Sequence, residues 1–285
     1  MVTPFDGDGR LDLDGAGALA RWLVEQGNDG LVVTGTTGES PALSDPEKRD
    51  LWKAVREAVT VPVIAGTSTA DTAHSVEMTK AATDIGVDAI LAVTPYYNRP
   101  SQAGIEAHMR AIGAATSLPV MTYDIPVRSS RQIAVETTLR LASDGVIVGV
   151  KDATGNPARS AELLSRAPAG FELYSGNDSD TLPLLAIGAS GVISVEAHWA
   201  AGQLSDMVAA YFKGNTEVAK TLNARLIPSH RFQSSDDTPN PLPTKAMMRH
   251  LGQPAGQCRL PMGPAPEGLE QKAAFVYSQL TNAGG

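Results

Sequence analysis

Short apolar runs alternate along the chain with longer stretches in which apolar positions recur every three or four residues. Asp12 to Gln26 carries Ala16, Leu19, Ala20, Leu23 and Val24 at helical spacing, with Asp12 or Asp14 as N-cap and Gly27 as terminator. Gly30 to Thr34 is a short apolar run, a strand, and it empties into the glycine-flanked loop Gly35-Thr36-Thr37-Gly38-Glu39. Ser44-Asp45-Pro46-Glu47 has the form of a capping box with an early proline, so a helix is expected from there to about Ala58. The alternation then continues with strands at 61–65, 88–93, 119–123, 146–151, 171–175 and 191–195. Helices are expected at 71–85, 101–116, 134–143, 157–166, 178–187 and 198–213.

Val2-Thr3-Pro4 reads as the end of a strand whose first residues lie upstream or are missing. Counting that fragment gives eight strands alternating with helices, the number that closes a (β/α)8 TIM barrel. A doubly wound open sheet is the competing architecture, but the first glycine loop lacks G-x-G-x-x-G and no acidic ribose ligand follows it. Three further helices, at 217–232, 244–251 and 266–280, form a C-terminal appendage. Prolines 239, 241 and 243 mark a loop before the second of them. The expected division is a barrel over 1–214 carrying the active site and a helical region over 215–285.

Composition narrows the class. The 285 residues are 42% hydrophobic, with no run near the roughly 18 apolar residues of a membrane span. A net charge of -8 and few aromatics argue against a nucleic-acid surface. One cysteine, Cys258, excludes an internal disulfide; neither C-x-x-C nor H-E-x-x-H spacing offers a metal site, and the five histidines are scattered singly. No secretory leader pattern opens the chain, which points to the cytoplasm.

The chemical anomaly is Lys151, at the end of the β-branched run Val146, Ile147, Val148 and Val150. An amine leaving a buried strand must pair or lose its proton, and the ordinary outcome is an ion pair with Asp152 or another carboxylate. Its surroundings argue otherwise. In a barrel the strand ends and the loops after them share one face, and here they supply Thr36, Thr37, Thr94, Tyr96, Tyr97, Tyr123, Arg128, Gly176, Asn177 and Ser194. A neutral lysine to attack a ketone, hydroxyls to relay protons and a cation to hold a carboxylate are what imine chemistry needs.

The same segments carry a family resemblance over nearly the whole chain. Gly35-Thr36-Thr37-Gly38-Glu39, Thr94-Pro95-Tyr96-Tyr97, Tyr123-Asp124-Ile125-Pro126-Val127-Arg128-Ser129 and Gly149-Val150-Lys151-Asp152-Ala153-Thr154-Gly155 resemble signature segments of the dihydrodipicolinate synthases, within the pyruvate-dependent class I aldolase superfamily. Ser175-Gly176-Asn177-Asp178, residues 191–195 and Asn240-Pro241-Leu242-Pro243-Thr244-Lys245 extend it. The resemblance implies that Lys151 forms a Schiff base with pyruvate and that Thr36, Tyr97 and Tyr123 relay protons. Thr37 would bind the pyruvate carboxylate, Arg128 the carboxylate of aspartate 4-semialdehyde, and Gly176 and Ile193 would line the pocket through their backbone. It further implies a homotetramer in which Tyr97 crosses an interface, and no cofactor or metal.

Asp124 stands where many members carry asparagine, and Ser129-Ser130 replaces a common threonine-glycine. Where lysine-regulated members carry two histidines this chain has Asp45 and Lys48, and where they carry asparagine and glutamate it has Ala70 and His74; only Ser40 and Tyr96 match, so feedback by lysine is expected to be weak or absent. Two other readings stand beside the synthase: a sister aldolase acting on N-acetylneuraminate or a 2-keto-3-deoxy sugar acid, which would keep Lys151 and Tyr123, and a catalytically silent small-molecule-binding relative. Arg128 and the double threonine favour the synthase over the first, and the intact set Lys151, Thr36, Tyr97 and Tyr123 over the second.

Overall fold

The computed structural model describes residues 1–282, so the last three residues of the 215–285 region lie outside the described residues. Two compact units emerge, Met1–Val63 with Val195–Gly285, and Ile64–Ser194.

The first unit opens with α1 (Leu13–Glu25), β1 (Leu31–Val33) and α2 (Asp45–Ala58). Asp12 caps α1 through the Gly15 N–H, and Ser44 with Glu47 forms the expected capping box on α2. α1 and α2 pack together, and Leu19 and Leu23 of the first and Leu51 and Val55 of the second are buried. Val2-Thr3 is not a strand. It is nevertheless tied in: the Met1 amine donates to the Val32 carbonyl, the Val2 N–H to His198 Nε2 at 3.0 Å, and Thr3 Oγ1 to the Gly38 carbonyl at 2.6 Å. The only nearby ladder contact is an isolated antiparallel bridge between Phe5 and Leu11. The described residues therefore hold seven strands rather than eight.

The second unit is a repeated strand-helix unit: β2 (Val63–Gly66), α3 (Thr72–Ile85), β3 (Ala89–Val93), α4 (Gln102–Gly113), β4 (Val120–Asp124), α5 (Pro126–Ser129), α6 (Val135–Ser143), β5 (Gly149–Asp152), α7 (Pro157–Arg166), β6 (Glu172–Ser175), α8 (Thr181–Leu185) and β7 (Gly191–Val192). From β2 to β7 each strand pairs in parallel with the next in the chain. A doubly wound sheet reverses its strand order at a switch point; no reversal occurs here. Val150 and Leu173 of adjacent strands pack with Val135, Leu163, Leu184 and Ala189 into one apolar cluster, which fastens α6, α7 and α8 to the sheet.

β5 begins at Gly149, three residues later than the apolar run suggests, and Val148 just before it is 43% exposed. Gly149 is required where it stands: a Cβ there would lie 2.5 Å from the Glu172 carbonyl oxygen of the neighbouring strand. The short helix α5 was not expected; Pro126 at its start fixes φ in the helical range.

Four helices complete the first unit: α9 (Ala201–Phe212), α10 (Thr216–Phe232), α11 (Leu242–His250) and α12 (Leu269–Asn282). α10 packs on α9 and α12, and α11 on α12. Trp199 meets Phe232 edge-on at 6.1 Å while its indole N–H donates to Ser229 Oγ at 2.9 Å. No helix is long and apolar enough to cross a membrane among the described residues.

Candidate active site

The register of β4 and β5 sets Tyr123 opposite Lys151 and Asp124 opposite Asp152. Side chains alternate along a strand, so Tyr123 and Lys151 share one face of the sheet and the two aspartates the other. On the first face Lys151 Nζ lies 4.4 Å from the centre of the Tyr123 ring. Withdrawal from water lowers the lysine pKa from 10.5 to about 8, with the Asp178 carboxylate pulling the other way. At pH 7 about one amine in ten is then neutral, against fewer than about one in a thousand for an ordinary lysine.

The ion pair that would disarm this amine does not form. Asp152 Oδ2 accepts from Ser160 Oγ at 2.7 Å and stands 3.7 Å from Arg159 Nη1, while Oδ1 accepts the Thr154 N–H at 2.8 Å. Asp178, buried at the turn after β6, accepts from Ser194 Oγ. Among the described residues no carboxylate ion-pairs with Lys151.

Gly176 gives the lysine stem its room, since a Cβ there would lie 3.1 Å from Lys151 Cγ and 2.9 Å from Ala153 Cβ. The Gly176 N–H donates to the Asp152 carbonyl at 2.7 Å, and the Ile193 N–H to the Ser175 carbonyl at 2.8 Å, which extends the ladder past the ends of β6 and β7. Behind Tyr123, Thr94 donates both its N–H and its hydroxyl to the tyrosine carbonyl, at 3.0 and 3.1 Å.

The other expected residues lie on the loops after β1 and β3 and on α5. Tyr97, on the loop after β3, is 92% exposed and holds φ at +69°, a left-handed conformation that is unfavourable for a tyrosine. Arg128 is exposed on α5. Thr36 and Thr37 belong to the first unit, on the turn after β1, where the Gly38 N–H donates to the Gly35 carbonyl and the Glu39 N–H to that of Thr36.

With this geometry in hand, comparison with known proteins is decisive. Residues 1–279 match the sequence profile described as the dihydrodipicolinate synthetase family. The chain belongs to that family. It is 48% identical to the 4-hydroxy-tetrahydrodipicolinate synthase of Moorella thermoacetica over 281 residues, 98% of this chain and 96% of that one. Among solved structures, dihydrodipicolinate synthase from Bacillus anthracis shares 40% identity with a TM-score of 0.92, covering 98% of this chain and 95% of that one. The Cyanidioschyzon merolae enzyme, solved with lysine bound, shares 38% identity with a TM-score of 0.94 over 99% and 96%. The fold is accordingly the family's (β/α)8 barrel with a C-terminal helical region, and the competing open sheet is excluded.

Sequence reasoning gave Asp178, Arg159 and Asn240 no role in the site. All three are polar groups without a spacing signature of their own. Arg159, on α7, bridges the far face of the sheet: Nη2 lies 3.1 Å from Asp124 Oδ2 and Nη1 3.7 Å from Asp152 Oδ2, with all three side chains at least nine-tenths buried. The same cross-strand step that aligns Tyr123 with Lys151 is thus clasped from behind by one guanidinium between two carboxylates.

Two carboxylates around one cation leave Asp124 hard to ionise. Burial pushes its pKa from 3.8 up to about 7, against the opposing pulls of Arg159 and the Ile133 N–H. Between about pH 4 and pH 7 the unfolded carboxyl has lost its proton while the folded one keeps it, so this group's contribution to stability falls as pH rises through that window and levels off above it. Asp124→Asn, which cannot ionise, should therefore gain stability relative to the parent from pH 4 to pH 7. Denaturant midpoints of both proteins across that range check this, and a difference independent of pH would refute it.

Proposed function

We propose that this chain is a Schiff-base-forming lyase that condenses pyruvate with L-aspartate 4-semialdehyde to 4-hydroxy-tetrahydrodipicolinate, a step of diaminopimelate and lysine synthesis, in the cytoplasm. The observation that carries the reading is the unpaired, partly desolvated Lys151 amine over the Tyr123 ring, in a chain of this family. The neutral amine attacks C2 of pyruvate, and loss of water from the carbinolamine leaves the protonated imine. Removal of a methyl proton gives the enamine, whose carbon attacks the aldehyde. The amine of the second substrate then closes on C2 and releases Lys151.

In this reading Tyr123, Thr36 and Tyr97 relay the protons, Thr37 holds the pyruvate carboxylate and Arg128 that of the semialdehyde, with Gly176 and Ile193 lining the pocket. Tyr97 fits such a role only if another copy covers it. A tyrosine held outward in a strained backbone supports an interface residue lent to a neighbour, and we place it in a homotetramer. No cofactor is called for by these steps.

The purified protein should consume pyruvate and aspartate semialdehyde together and leave N-acetylneuraminate and 2-keto-3-deoxy sugar acids uncleaved; cleavage of either sugar acid with no semialdehyde consumption would overturn the assignment. Tyr123→Phe should lower kcat by about two to four orders of magnitude with the fold retained, the usual cost of losing a positioned acid–base group. Wild-type turnover would remove Tyr123 from the relay. Tyr97→Phe should act likewise, and a fully active monomer would contradict the shared site. Lys48, buried and 3.6 Å from Asp45, places a fixed cation where a lysine ligand would need an anion, so lysine should inhibit weakly or not at all; half-maximal inhibition below about 1 mM, an affinity near 4 kcal/mol, would refute this.

A further inference from the structure

The C-terminal helices reach the loop that carries Thr36 and Thr37. Asn240, just before α11, is buried, and its side-chain Nδ2 donates to Thr37 Oγ1 at 2.9 Å. Its Oδ1 accepts from Thr244 Oγ1 at 2.9 Å, one turn further on. The far end of the same loop is anchored as firmly. Glu39, also buried, forms a 2.6 Å ion pair with Lys245 of α11, and its other oxygen accepts the Arg259 N–H at 2.8 Å. Thr3 holds the Gly38 carbonyl between these two points.

A hydroxyl has one proton to give. When Thr37 Oγ1 accepts from Asn240, its own O–H is left to donate elsewhere. An amide turned the other way would present Oδ1 and take that proton, leaving Thr37 as an acceptor that repels a carboxylate. In the orientation observed the N–H₂ end faces Thr37, and the Thr244 hydroxyl donates to Oδ1 at the other end of the amide.

We infer that Asn240, held by Thr244, is a positioning residue that fixes the Thr37 hydroxyl as a donor toward the carboxylate of the keto-acid substrate. The inference rests on the reading of Thr37 as the pyruvate carboxylate site. It predicts an effect on pyruvate binding with little effect on later steps, since the carboxylate does not react.

The test is a mutant cycle read as the pyruvate concentration that half-saturates borohydride-trapped adduct, alongside kcat and thermal unfolding. Asn240→Ala should raise that concentration about tenfold, as for one lost hydrogen bond to a charged group, with kcat changed by less than about threefold. Asn240→Asp, which can accept but not donate, should be at least as impaired. In a Thr37→Val background Asn240→Ala should add less than about a twofold change, because the group it orients is gone. Effects that multiply in full, or an Asn240→Asp protein that binds pyruvate like the parent, would overturn the inference while leaving the Thr37 reading intact. A Thr37→Val protein with unchanged half-saturation would overturn that reading and the inference with it. Should the Asn240 variants fail to fold, Thr244 carries the same test: Thr244→Val should weaken pyruvate binding about two- to threefold for partial loss of one neutral hydrogen bond, and Thr244→Ser should restore it. Equal binding by parent and Thr244→Val would refute the orienting role.

Discussion

An amine can serve as a nucleophile at neutral pH only while it is poorly solvated and not claimed by a carboxylate, and Lys151 meets both conditions because its acidic neighbours are committed elsewhere. Asp152 follows it directly but points to the opposite face of the sheet, where Ser160, the Thr154 N–H and Arg159 take it up. Asp178, the carboxylate whose field Lys151 feels, is bonded to Ser194. Strand alternation does the sorting: one residue step separates the lysine that must stay unpaired from the aspartate that would quench it.

The same step organises the second strand of the site. Tyr123 lies across from Lys151 and Asp124 across from Asp152, so the amine and the phenol share one face and a buried clasp of two carboxylates around Arg159 the other. The clasp costs solvation energy, and removing the arginine would leave two buried carboxylates facing each other. The C-terminal helices act comparably on the first unit, where Asn240 and Lys245 each hold one end of the loop bearing Thr36 and Thr37. That region therefore holds this loop at both ends, although the sequence presents it as an appendage.

Much of this was readable from the chain. Helix starts are local events: Asp12, one of two expected caps, and Ser44 with its capping box do cap helices, and Asp71 and Ser101, where two further helices were expected to begin, prove to be their N-caps. Strand starts are not local: 146–148 has strong strand character, yet the paired register with the next strand begins only at Gly149, opposite Glu172. For the same reason Val2-Thr3, strand-like in composition, makes scattered contacts to Gly38 and His198 and no ladder. In the site, Lys151 stood out as a charge in an apolar run, and the family motifs supplied its companions. The Arg159 clasp and the Asn240 contact were invisible, because Asn240 and Thr37 are separated by 203 residues and nothing in either segment points to the other.

The central claim is that Lys151 is held part-neutral by its surroundings and forms the imine. The rate at which pyruvate is trapped on it by cyanoborohydride, followed by peptide mass against pH, tests this directly. The account predicts a single adduct on the Lys151 peptide with a midpoint near pH 8, moving to lower pH in Asp178→Asn because the opposing field is removed. A midpoint near 10.5, the ordinary lysine value, or an adduct on any other lysine, would contradict it.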